Sequence, residues 1–204
     1  MKKFLVCLCV ILLSGVCSGN ALADNIGGRF GVTGRIGFII PADSENVASG
    51  TVVDTDASFI GGGGFIFGID RNFAAELDIT RTEFGASKGF NGDFGTTNIT
   101  LGVQYRFLNM PMPKLVPYVG GGVDILVNDF TRSDGTQSDV DTVAGVHLAG
   151  GVDYFIMKQL ALTGEIKGVI SPNADIIDKS SGHKQGDFDP SSVSVTFGVR
   201  YFFN

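Results

Sequence analysis

What this sequence lacks narrows it quickly. Its 204 residues include no tryptophan and only three cysteines. Cys7, Cys9 and Cys17 all fall within the first 23 positions, so the chain beyond them has no disulfide, thiol nucleophile or thiolate metal site. Charged residues make up 18% of the chain, thin cover for a water-facing surface, and mean hydropathy is +0.25. Yet no apolar run after the first 23 residues is long enough for a membrane helix. An apolar chain with no helix to cross a bilayer has one other route, which is to cross with strands.

Residues 1–23 read as a secretory signal peptide. Lys2 and Lys3 form a basic start, an apolar run spans Phe4 to Val16, and Ala21-Leu22-Ala23 offers small residues for cleavage before Asp24. Cleavage before Cys17, as in a lipoprotein, is the competing reading, and Val16 fits that site poorly. Residues 24–204 then form one domain. Its 13 basic and 21 acidic residues leave a net charge of −8, which excludes nucleic acid as an expected partner.

What the chain has in abundance is alternation. Val193, Val195, Phe197, Val199, Tyr201 and Phe203 share one face of a segment whose other face carries Ser192, Ser194, Thr196, Gly198 and Arg200, with Phe202 the exception. A period of two means a strand with one apolar face. Seven earlier segments repeat it, with faces built on Phe30 to Ile40, Phe59 to Ile69, Phe73 to Ile79, Ile99 to Phe107, Val119 to Val127, Val146 to Tyr154 and Leu160 to Ile170. The connections at Asp70-Arg71-Asn72, Leu108 to Pro113 and Met157-Lys158-Gln159 are short. Those near 41–57, 84–95, 129–139 and 171–190 are longer and polar. The expected fold is all-β: an eight-stranded antiparallel up-and-down transmembrane barrel, strands of roughly ten residues, short turns and both ends on the periplasmic side. The competing fold is a soluble eight-stranded barrel with its apolar faces inward. The Gly-, Ser- and Thr-rich polar faces and the strict alternation of loop lengths favour the membrane barrel.

Four motifs carry a family likeness. Gly34-Arg35-Ile36-Gly37 followed by Pro41-Ala42-Asp43-Ser44, then Pro117 to Val123, then Gly151-Val152-Asp153-Tyr154-Phe155, then Asp187-Phe188-Asp189-Pro190 leading to Phe197–Phe202, occur in the order and spacing of the OmpW family of small outer-membrane barrels. The chain resembles that family through most of residues 24–204. The resemblance implies an eight-stranded barrel with a narrow, largely apolar lumen proposed to pass small hydrophobic molecules.

With the apolar faces toward lipid, the other faces line the interior. Arg35, Glu76, Asp78, Gln104, Arg106, Asp124, Leu126, His147, Asp153, Glu165, Lys167 and Arg200 are the expected lumen-facing residues, forming either a path or a plug. With Arg29 they make five basic and five acidic groups, and buried charge is tolerated only when paired. Arg29, Arg106, Asp153 and Arg200 are expected near the short-turn rim, the other charges nearer mid-height. An eight-stranded interior is about wide enough for side chains alone, which favours the plug. Solute would then use the upper barrel or a sideways exit between strands, with Leu126 as a wall residue.

No enzyme is expected. His147 lies on the interior face and not the membrane face, and His183 lies in the last long loop, where it reads as solvated. No metal or other cofactor is expected. The acidic loop residues Asp54, Asp56, Asp175 and Asp178 read as solvated charge. The expected partners are outer-membrane lipid and lipopolysaccharide, small hydrophobic solutes, and the outer-membrane assembly machinery reading the C-terminal strand. A barrel that displays its long loops without transporting anything is the alternative.

Overall fold

The computed structural model describes residues 25–42, 44–46, 51–53, 57–86, 92–109, 111–112, 114–132, 137–140, 142–177 and 184–203. Residues 1–23, read above as a leader, lie outside the described residues, as do Asp54, Asp56, Asp178 and His183.

Eight long strands follow one another: β1 (Phe30–Pro41), β2 (Ser58–Gly68), β3 (Phe73–Ala86), β4 (Gly92–Arg106), β5 (Leu115–Arg132), β6 (Val143–Phe155), β7 (Leu160–Ile170) and β8 (Ser192–Phe202). Each pairs antiparallel with its neighbours in sequence, and β1 pairs with β8, so the sheet closes. Closure satisfies the backbone polar groups that an edge would leave bare in lipid.

The faces fall as the alternation requires. Ile36, Phe38, Phe59, Phe65, Leu101, Val103, Val123, Leu148, Ile166 and Phe197 all point outward and are exposed on the isolated chain. At the short-turn end the outward side chains are aromatic and touch one another. Phe30 stacks on Phe65 at 5.5 Å and on Phe203 at 6.0 Å, and Tyr105 meets Phe73 at 5.2 Å and Phe107 at 5.0 Å. At the other end the apolar face stops at Arg81, which donates to Thr97 at 2.9 Å and to Asp129 at 3.2 Å. An apolar band about 25 Å tall above an aromatic girdle is the exterior of an outer-membrane barrel. The tight turns are locally encoded: Asp70 Oδ1 accepts the backbone N–H groups of Asn72 and Phe73, both at 2.7 Å.

The strands are longer than expected. They run from 11 residues to the 18 of β5. Residues 84–86, 92–95 and 129–132, expected in loops, continue β3, β4 and β5. Five short strands, Ser44–Asn46, Thr51–Val53, Gln137–Val140, Ala174–Ile177 and Lys184–Phe188, extend the sheet beyond the rim. Polarity marks where a strand leaves the lipid. It does not end the hydrogen-bond ladder, which still satisfies the backbone beyond the membrane.

Candidate functional site

The interior is built in layers. The lowest, at the short-turn end, is apolar. Ile66, Ala74, Val116, Phe155, Ala161 and Phe202 point inward there with no exposed surface, and Ile26 reaches in from the segment before β1. The Phe155 and Phe202 rings stack at 5.8 Å. The backbone of residues 26–29 is pinned across this mouth: Gly28 N–H donates to Gly68 O at 2.7 Å, and Gly68 N–H to Arg29 O at 2.9 Å. Sequence reasoning missed this floor, apart from noting Phe202 as an exception to the alternation.

Above it lies a continuous charge network. Arg106 Nη1 donates to Asp153 at 2.8 Å and to Gln104 Oε1 at 3.0 Å. Arg200 donates to Asp153 at 3.0 Å and to Glu76 at 2.7 Å, and Gln104 Nε2 donates to the second oxygen of Glu76 at 2.8 Å. Arg35 bridges Glu76 at 2.5 Å, Asp78 at 2.9 Å and Glu165 at 2.6 Å. Tyr118, which the sequence reading did not single out, donates its hydroxyl to Glu165 at 2.9 Å and packs its ring under Arg200. Arg106, Asp153 and Arg200 are fully buried. Charges this deep persist because each meets an opposite charge and further hydrogen bonds.

A second, smaller cluster sits on the β4–β7 side. Asp124 Oδ1 accepts from Asn98 at 2.9 Å, Thr100 at 2.7 Å and Lys167 at 2.9 Å, while Oδ2 faces His147 Nδ1 at 2.5 Å. The imidazole lies on bare backbone: a Cβ on Gly122 would come within 2.1 Å of Leu101 O and 2.9 Å of the ring, so only glycine fits there.

These two clusters hold Arg35, Glu76, Asp78, Gln104, Arg106, Asp124, His147, Asp153, Glu165, Lys167 and Arg200. Arg29 departs from the expectation of a balanced set. It lies at the rim and donates to the carbonyls of Lys158, Phe202 and Phe203, facing no carboxylate among the described residues. Inside, Arg35, Arg106, Arg200 and Lys167 face five carboxylates, and His147 is paired with one of these. The free space left between the two clusters is about 20 Å³, room for a water and no more.

The uppermost layer differs. Leu126 is 2% exposed, and Ile39, Ile60 and Val169 join it on the inner wall. With Pro41 and Pro190 they line a pocket of about 40 Å³ whose remaining wall is polar and mostly hydroxyl, Thr80, Thr82, Thr96, Ser194 and Thr196 among it, and whose floor is Arg35, Asp78, Glu165 and Lys167. Only Leu126 of that apolar set was expected. Among the described residues no three His, Cys, Asp or Glu side chains are grouped to hold a metal ion.

A closed antiparallel barrel, apolar outside, girdled at one end and salt-bridged within, defines a small outer-membrane β-barrel. The chain belongs to the outer membrane protein beta-barrel domain family, which it matches over residues 9–201. It therefore resides in the bacterial outer membrane, against lipid. Among solved structures it is similar to OprG from Pseudomonas aeruginosa, with a TM-score of 0.70 at 17% identity, covering 90% of this chain and 99% of that one. AlkL, solved in DMPC bilayers, gives 0.59 at 16% identity, covering 92% and 96%. The outer membrane protein W of E. coli gives 0.51 at 19% identity, covering 88% and 100%. The OmpW-like architecture expected from the motifs is thus the fold observed. No curated protein matches the sequence.

Proposed function

We propose that this protein takes small apolar molecules from the cell exterior into the outer half of its barrel and releases them sideways into the membrane. One observation carries this reading: the interior is apolar-walled at the outer end, at Ile39, Ile60, Leu126 and Val169, and filled by paired charge and packed rings below it. An apolar solute gains nothing by entering the charge network, which would lose its pairing to let it through. The wall beside the pocket is the readier way out. The test is uptake of a hydrophobic compound by cells lacking the protein, then complemented with the wild-type chain or with Leu126→Asp. Wild type should restore uptake and Leu126→Asp should not. Unchanged uptake on deletion overturns the reading.

The sealed lower half supports a second reading, a barrel that displays its loops and transports nothing. Unchanged uptake would favour it. Reproducible conductance in planar bilayers would count against a filled interior under either reading. Both include removal of residues 1–23 on export, so the outer-membrane form should have the mass of a chain starting at Asp24.

A further inference from the structure

The lipid-facing wall sinks beside Gly168. Leu148 on β6 pairs with Gly168 on β7, Gly168 with Val193 on β8, and Val193 with Ile40 on β1, a single row across four strands. In the next row toward the outer rim Ile170 pairs with Val146. Leu148 is 78% exposed and Ile170 72%, more than any other large apolar side chain among the described residues. They stand clear because Gly168 between them has no side chain, and a Cβ built there would touch nothing within 4 Å. The result is an apolar groove of about 760 Å³ on the outside of the barrel. His147 borders it through its strand, but its imidazole points inward to Asp124.

Height and chemistry identify what fills the groove. It runs beside Pro41, Ser191 and Ser192, at the outer ends of β1 and β8, on the far side of the membrane from the aromatic girdle. It therefore opens to the outer leaflet, which in this membrane is lipopolysaccharide. Its walls are five aliphatic side chains without a charge among them. An acyl chain crossing the smooth, convex part of a barrel touches protein on one side. In the groove it also meets the side chains that flank Gly168, and dispersion contacts add up. We propose that this groove seats one acyl chain of a lipopolysaccharide molecule and holds that molecule longer than the surrounding lipid.

Native mass spectrometry of the protein extracted from outer membranes in mild detergent tests this. Wild type should retain one lipopolysaccharide. Gly168→Leu, which fills the groove from an open position, should lose that bound species. Gly34→Leu is the control, because Gly34 is also open around an added Cβ yet lies away from the groove. It should retain lipopolysaccharide as wild type does. If Gly168→Leu fails to fold by gel mobility shift, the pair Leu148→Ala and Ile170→Ala removes the walls instead and should give the same loss. Equal retention in all variants, loss in Gly34→Leu as well, or a bound phospholipid in place of lipopolysaccharide would overturn the proposal.

Discussion

The periplasmic and outer halves of this barrel share the same eight strands and the same lipid-facing pattern, but their interiors differ in kind. Below, the interior is filled: Phe155 and Phe202 stack, Ile26 closes the mouth, and Arg106, Arg200 and Asp153 are buried together without solvent contact. Above, aliphatic and hydroxyl side chains line a pocket. The lower half is built to hold the cylinder shut, so its substitutions should be costly. The upper half leaves about 40 Å³ free against about 20 Å³ between the charge clusters, so its substitutions should be milder for stability and visible in function.

The largest effect should come from Asp153→Ala. Asp153 accepts from both Arg106 and Arg200, and its loss would leave two buried guanidinium groups without their common partner. Removing one partner of a buried pair costs about 3–5 kcal/mol, and this case should lie at the upper end. Urea titration of the folded gel species in bilayers would measure it. A cost near zero would mean that water reaches the network and that the lower half is not sealed.

Next comes a matched pair of truncations. Phe155→Ala empties the fully buried floor and should cost about 3–4 kcal/mol, within the usual range for a packed ring. Leu126→Ala trims a side chain that already borders free space and should cost about 2 kcal/mol or less. The same titration ranks them. Equal costs would erase the distinction between a packed floor and an open cup.

Both halves were legible in the sequence to different degrees. The lipid face could be read directly, because a period of two over eight segments has no other economical explanation. The inward charges were equally plain, since Arg35, Glu76, Asp124 and Arg200 occupy the polar slots of those strands. The apolar layers were harder, because an inward apolar residue looks like a lapse in the alternation. The signal was nevertheless present: Phe65-Ile66-Phe67, Phe38-Ile39-Ile40, Tyr154-Phe155 and Phe202-Phe203 are runs in which both faces are apolar at one level of the barrel. Lining up such runs across neighbouring strands would have located the floor at Ile66, Phe155 and Phe202 and the upper wall at Ile39. The Gly168 groove was not legible in this way, because it depends on which outward side chains flank the glycine on two other strands.

The smallest expected effect sharpens the contrast most, because it repeats one residue type in the opposite setting. Arg81 bridges Asp129 and Glu83 much as Arg35 bridges Glu76, Asp78 and Glu165. Counted as ion pairs the two sites differ by only one, two against three. Arg81, however, lies at the outer rim with its side chain 47% exposed, whereas that of Arg35 is 6% exposed. Water screens the first pairing and competes for both its partners, so Arg81→Ala should cost about 0.2–1 kcal/mol. The same change at Arg35 would strand three carboxylates in a closed interior and should cost several times more. If the two variants unfold at the same urea concentration, the number of ion pairs, and not their burial, governs this barrel, and the division between its halves loses its physical basis.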